Sequence, residues 1–407
     1  MRPIQVFSEI APLKKVLLHR PGNELLYLTP SNLNELLFDD IPYLKGAQRE
    51  HDNFAAVLKS QGVEVVYLED LMTEVLNHDP SLREPFLKQF IVEAGIHTKR
   101  YQDLLYSIYD RISDNRELVL KTMSGLNVSE LQITTDFSLV ERIANDGDLV
   151  IQPLPNLYFT RDSFACIGNG VSLNRMYSVT RRRETIYGEY IFHHHPDFKD
   201  KVPLYYDRNS NFHIEGGDIS NLNGHTLTIG ISQRTEADAI EEFADNVFFR
   251  NETEIDRILA FHIPSSRAFM HLDTVFTQID YDKFTVHPGI LGTLEVYLIE
   301  PGDNRSLKIS RIDDRLENIL AAELGLSYVQ LIQCGNGDRV AAEREQWNDG
   351  SNTLCISPGK IIVYNRNEVT NRALRAAGLE VLEIDSSELS RGRGGPRCMS
   401  MPLQREL

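Results

Sequence analysis

Short runs of β-branched and aromatic residues recur along the chain, and no apolar stretch is long. Val16–Leu18, Val63–Leu68, Leu149–Leu154, Thr226–Ile231, Phe269–Phe276, Ile361–Tyr364 and Val381–Ile384 are rich in residues that suit a pleated surface. Segments of about ten residues with helical character separate several of them, which favours stacked α/β layers over a sandwich of strands alone. No run approaches the ~18 apolar residues of a membrane span. Glu9, Lys14 and Lys15 break up the amino-terminal segment before a signal-peptide core can form. A chain of 407 residues can bury a sizeable core without covalent staples.

Charge and cysteine usage remove further classes. Lys and Arg number 42 against 59 Asp and Glu, a formal charge of −17, and such a surface repels phosphate backbones. A general nucleic-acid binder is therefore disfavoured. Cys166, Cys334, Cys355 and Cys398 lie far apart and form no CxxC pair, so neither metal-site spacing nor a disulfide scaffold is present. The expectation is a cytoplasmic protein with no membrane or nucleic-acid partner.

From about Asp70 to Asp148 the composition changes: Gly and Pro thin out while Leu, Glu, Lys and Arg rise. Leu104, Leu105, Ile108, Tyr109 and Ile112 form the apolar stripe of an amphipathic helix. Ser81 with Glu84 reads as a capping box, followed by the apolar face of Phe86, Phe90 and Ile91. The segment reads as a helical bundle over 73–147 inserted into an α/β body made of 1–72 and 148–407. Strand-to-helix junctions also resemble one another. Met176–Thr180, Leu227–Ile231 and Ile361–Tyr364 are each followed by an arginine (Arg181, Arg234, Arg366) and then an acidic residue where a helix dipole favours one. The spacing is irregular, so a true repeat and chance similarity both remain open.

Four clusters concentrate polar residues: Pro155 to Asp162, Phe212 to Asp218, Met270 to Thr274, and Arg391 to Cys398. His271 and Asp273 stand two apart in a strand-like run, which would display an imidazole and a carboxylate on one face of the pleat. Gly216 and Gly217 would allow a tight turn beside Glu215 and Asp218. His213, His271, Asp218 and Asp273 also admit a metal-site reading. His193, His194 and His195 are adjacent, project about 100° apart on a helix and end at Pro196, which fits a solvated helix end better than a shared ion. Cys166 and Cys355 sit in apolar runs and read as core, and Cys334 lies at a turn. Cys398 is different: glycines and arginines precede it, and cations favour a thiolate. The same RGRGG run is also compatible with an RNA-binding tail.

Taken together, Asn156-x-x-Phe159-Thr160-Arg161-Asp162, His213-x-Glu215-Gly216-Gly217-Asp218, His271-Leu272-Asp273 and the late Arg391-Gly392-Arg393-Gly394-Gly395-Pro396-Arg397-Cys398-Met399-Ser400-Met401-Pro402 resemble the arginine deiminase family of the guanidine-modifying superfamily. Glu35 to Asp40 and Arg344 to Gly350 extend the likeness to nearly the whole chain. The resemblance implies a five-bladed, pseudo-symmetric α/β propeller with an inserted helical bundle. It implies hydrolysis of L-arginine to L-citrulline and ammonia without cofactor or metal, by a homo-oligomer (dimer or tetramer).

Carried over residue by residue, the family pattern makes Cys398 the nucleophile that forms a covalent thiouronium, and His271 the acid and then the base. Asp162 and Asp273 would grip the guanidinium, and Glu215 would hold both it and His271. Arg181 and Arg234 would take the α-carboxylate, Asn156 the amino-acid head, and Phe159 would line the pocket. Arg393 or Arg397 would stand on a mobile lid. Retention of Arg181 and Arg234 favours a free amino acid over agmatine, methylated arginine or peptidyl arginine. A zinc amidohydrolase and a non-catalytic arginine-binding protein are the readings from other classes.

Overall fold

The apolar runs pair into sheets that repeat one pattern. The computed structural model describes residues 2–131, 145, 147–264 and 267–407. In it, Leu13–Leu18 pairs antiparallel with Met401–Arg405 and parallel with Glu64–Tyr67. Gly170–Leu173 pairs likewise with Phe164–Ile167 and Leu204–Tyr206. Thr226–Ile231 does so with Ile219–Asn221 and Arg257–His262, in a sheet that Glu295–Pro301 and Leu307–Ile312 extend to five strands. Lys283–Val286 lies between Phe276–Gln278 and Gln330–Gln333, and Lys360–Tyr364 between Leu354–Ser357 and Glu380–Ile384.

Parallel neighbours require a crossover, and here each is made by a helix. The crossovers are Leu44–Ser60, Thr185–His194, Ala237–Asp245, Leu316–Leu324 and Glu368–Ala376. Arg181, Arg234 and Arg366 thus occupy equivalent places, between a middle strand and its crossover helix. Met176–Thr180, however, is not a strand. The pairing segment is Gly170–Leu173, and Val179–Glu184 already turns as a 3-10 helix.

Helices Leu68–His78, Arg83–Glu93, Lys99–Asp110 and Asn115–Ser124 form the segment that the composition marks out. Its stripe behaves as expected, with Leu105 and Tyr109 buried one turn apart. Phe86 and Phe90 pack against Tyr190 and Tyr109, at 5.2 Å and 5.9 Å between ring centroids. Each such side chain contributes about 1.5–3 kcal/mol by leaving water. These residues share one apolar cluster with Phe164, Tyr187 and Ile229 of the α/β body. Residues 132–144 and 146 of the expected bundle lie outside the described residues.

Two local expectations are corrected. Asp79, not Ser81, caps the turn before Arg83–Glu93, accepting from Ser81 N at 3.1 Å. Phe269–Phe276 is not one strand: Leu272–Thr274 is a 3-10 turn, and pairing begins only at Phe276. The turn is pinned by Asp218 Oδ1, which accepts from Leu272 N at 2.8 Å. Among the described residues no helix is long and apolar enough to cross a membrane.

Candidate active site

Pairing of Met401–Arg405 with Leu13–Leu18 joins the two ends of the chain and anchors the segment carrying Cys398. Arg161 N donates to Cys398 O at 3.1 Å, which brings the turn containing Asp162 alongside. Gly216 N in turn donates to Asp162 O at 3.1 Å and draws in Glu215. These polar clusters therefore meet, although 237 residues separate Arg161 from Cys398.

Gly216 and Gly217 matter for proximity rather than for a left-handed turn. A Cβ at Gly216 would strike Arg161 O, and one at Gly217 would lie 2.7 Å from the His271 ring. His271 Nε2 meets Glu215 Oε2 at 2.7 Å, and its Nδ1 lies 3.9 Å from Asp162 Oδ1. Burial opposes a charge on His271, yet the Asp162, Glu215 and Asp218 carboxylates outweigh it and raise its pKa to about 9. Burial also works against the Glu215 anion, but Arg234, His271 and Arg181 hold its pKa down at about 2.

Cys398 Sγ lies 3.7 Å from Asp273 Oδ2 and 3.1 Å from Asn352 Nδ2. Burial, followed by the charges of Asp273, Asp162 and Asp349, pushes its thiol well above the ordinary range. The nearby arginines do not prevent this, because they are engaged elsewhere. Arg397 donates to Asp273 at 2.7 Å, to Glu9 at 3.2 Å and to Ile219 O at 2.8 Å. It is a buried cross-link. Arg393 has a φ of 64°, its Nη1 3.2 Å from Asp39 and its guanidinium 3.6 Å above Trp347.

Asp162 Oδ2 accepts from Arg181 at 2.9 Å, while its buried Oδ1 has no hydrogen-bond partner. Arg181 is largely committed, donating also to Glu184 at 2.9–3.1 Å. Arg234 keeps capacity: it lies over Tyr177, 3.9 Å from Glu215, and its buried Nε has no partner. Asn156 donates to Leu36 O at 2.8 Å, and the Phe159 ring lies directly beneath Gly394.

The quartet His213, His271, Asp218 and Asp273 does not assemble as a metal site; the group that does come together, with ligand atoms within 4.8 Å of one another, is Asp162, Glu215 and His271. His213 bonds Arg234 O at 2.9 Å, and Asp218 takes Ser232, Thr235 and Leu272 N, so neither faces His271 as a ligand. The carboxylates that do approach the imidazole are Asp162 and Glu215. Of the three adjacent histidines, His193 is exposed, while His195 is buried and bonds Glu74 at 2.9 Å. Cys166, Cys334 and Cys355 are buried and unpaired.

A model of the arginine deiminase family matches residues 34–405. The chain belongs to that family. It therefore falls among the hydrolases acting on carbon–nitrogen bonds of linear amidines. It is 59% identical to the arginine deiminase of Treponema denticola, covering 100% of this chain and 99% of that protein. With the arginine deiminase of Streptococcus uberis it shares 52% identity over 99% of this chain and 98% of the relative. Solved structures share the mixed α/β fold at much lower identity. An amidinotransferase of saxitoxin biosynthesis from Microseira wollei superposes with a TM-score of 0.54 at 15% identity, over 100% of this chain and 98% of that one. The N-terminal domain of an arginine dihydrolase from cyanobacteria gives 0.53 at 13%, over 96% and 98%.

Sequence reasoning missed Asn352, Glu184 and Asp349, all buried around the cluster. Asn352 and Asp349 lie in a turn rich in Asn, Asp, Gly and Ser that looks like an ordinary connection. The one available signal was that this stretch adjoins Arg344 to Gly350, part of the family likeness.

Proposed function

We propose that the chain hydrolyses L-arginine to L-citrulline and ammonia through a covalent thiouronium on Cys398. One juxtaposition carries this reading. A buried thiol lies 3.7 Å from Asp273, close to an Asp162 oxygen without a partner and to an imidazole whose pKa is near 9. A planar cation between Asp162 and Asp273 satisfies that oxygen and offsets the carboxylate charges that disfavour a thiolate. The thiol proton then leaves to water. Sγ bonds to the guanidinium carbon, the bond to one terminal nitrogen breaks, and His271 supplies the proton with which ammonia departs. Neutral His271 next takes a proton from water, hydroxide adds to the thiouronium, and the carbon–sulfur bond breaks with its electron pair returning to sulfur while the added hydroxyl loses its proton to solvent to give the citrulline carbonyl.

Arg234, with Arg181 beside it, receives the α-carboxylate; Asn156 and Phe159 border the amino-acid head, and Arg393 covers the pocket. The five recurring three-strand units support a closed five-bladed propeller over 1–72 and 148–407, with 73–147 as the inserted helical unit. Four unpaired cysteines suit a cytoplasmic setting. A dimer or tetramer follows from the family resemblance and is checked by sedimentation.

The test is ammonia release from arginine and agmatine side by side, with mass spectrometry of the quenched arginine reaction. Release from arginine, an adduct on the Cys398 peptide and loss of both in Cys398→Ser are expected. A preference for agmatine overturns the substrate. Activity that is lost to a chelator but survives thiol alkylation overturns the chemistry.

A further inference from the structure

The turn from Trp347 to Thr353 holds one side chain that makes three hydrogen bonds to the Cys398 segment and one to Asp273. Asn352 is fully buried, and its Oδ1 accepts from Arg397 N at 3.0 Å and from Cys398 N at 3.1 Å. Both partners are donors, which fixes the orientation of the amide: oxygen faces them, and nitrogen must face the other way. There Nδ2 finds Asp273 O at 3.1 Å and Cys398 Sγ at 3.1 Å, so each of its hydrogens has an acceptor. The side chain is held on all sides. Its own N–H donates to Asp349 O at 2.9 Å, and the preceding Ser351 O accepts from the hydroxyls of Thr277 and Thr285 at 2.9 Å and 3.0 Å. Gly395 permits the approach, since a Cβ there would lie 2.7 Å from Oδ1.

The charged groups that face Cys398 are Asp273, Asp162 and Asp349, which disfavour a negative sulfur. His271 is held by Glu215, and Arg397 is spent on Asp273 and Glu9. The amide of Asn352 is the side-chain donor that reaches the sulfur. We propose that Asn352 is a catalytic residue, holding Cys398 Sγ as thiolate for attack and receiving the electron pair when the carbon–sulfur bond breaks. The inference rests on the reading of Cys398 as nucleophile. An uncharged donor suits both moments, because it stabilises the anion without carrying a proton that the sulfur could take.

The test uses Asn352→Ser, uncharged and too short to reach the sulfur, because Asn352→Asp would add a further carboxylate beside Cys398 and displace the profile by its charge alone. Alkylation of Cys398 by iodoacetamide is followed across pH by mass spectrometry, alongside arginine turnover. The expected result is alkylation about 10- to 100-fold slower at neutral pH, with the profile displaced to higher pH and the parent's rate recovered at its alkaline plateau. Recovery of the plateau shows that the fold and access are intact. Asn352→Ala, likewise uncharged and unable to reach the sulfur, carries the same comparison if the first variant does not fold. Superimposable profiles for parent and variants overturn the proposal. Should the parent fail to turn over arginine while the profiles still separate, the functional reading fails and the role of Asn352 stands.

Discussion

Replacing Gly217 with alanine isolates how His271 is held. The added Cβ would lie 2.7 Å from His271 Cγ, 2.8 Å from Nδ1 and 3.0 Å from Cβ, where ordinary contact begins at 3.4 Å. The ring must retreat by about 0.7 Å, because the other side of the contact is backbone. That displacement takes Nε2 off its 2.7 Å approach to Glu215 and alters its 3.9 Å spacing from Asp162. A hydrogen bond to a charged partner contributes about 1.5–3 kcal/mol, which corresponds to a loss of roughly 10- to 100-fold in kcat. Overpacking of this kind also costs about 1–3 kcal/mol of stability. The assay is ammonia release with kcat and KM resolved, together with thermal unfolding. Gly224→Ala is the control, since a Cβ there meets nothing within 4 Å. If Gly217→Ala folds and retains the parent's kcat, the argument that this glycine exists to seat the imidazole is refuted.

Arg234→Gln is expected to raise KM for arginine by about 10- to 100-fold while leaving the weaker turnover of agmatine, which lacks a carboxylate, nearly unchanged. Equal losses for both substrates would remove Arg234 from carboxylate binding. Stability should also depend on pH through His19, which is buried between Glu69 at 2.7 Å and Glu24 at 3.2 Å. Burial opposes its charge, but the two carboxylates raise its pKa to about 10 from an ordinary 6.5. A raised pKa contributes stability that is complete below pH 6.5 and is lost as pH climbs towards 10. Melting temperatures of the parent should fall across that window, and those of His19→Gln should fall less; equal slopes would count against the pair. Glu9 acts in the opposite sense. Burial is overcome by Arg397, Arg161 and Arg405, which hold its pKa at about 2, so its contribution is present above pH 4.5 and is lost on acidification towards 2.

Strand and helix periods were readable because they are local. Thr226–Ile231 appears with the bounds expected, and Leu105 and Tyr109 are buried as their spacing requires. The Met270 to Thr274 segment defeated the same logic. Its apolar residues suit a strand, but it forms a turn in which Leu272 N donates to Asp218 Oδ1, 54 residues away. The glycine pair after Glu215 reads as a tight turn and does form one, but its second role, clearance for Arg161 O at Gly216 and for the His271 ring at Gly217, is encoded by no spacing rule.

Sequence alone therefore determined which chemical groups this protein has to work with: one cysteine among glycines and arginines, two short acid-and-histidine clusters, and a Gly-poor helical stretch inside an α/β chain. Only the tertiary structure decided how those groups are spent. Arg397 and Arg393 are alike in sequence, yet one is consumed by Glu9 and Asp273 and the other stacks on Trp347. Asn352 gains its place beside the sulfur across 46 residues of chain. The reason is that a side chain's character is written in its own covalent structure, whereas its hydrogen-bonding capacity is shared among whatever neighbours folding brings within about 3 Å.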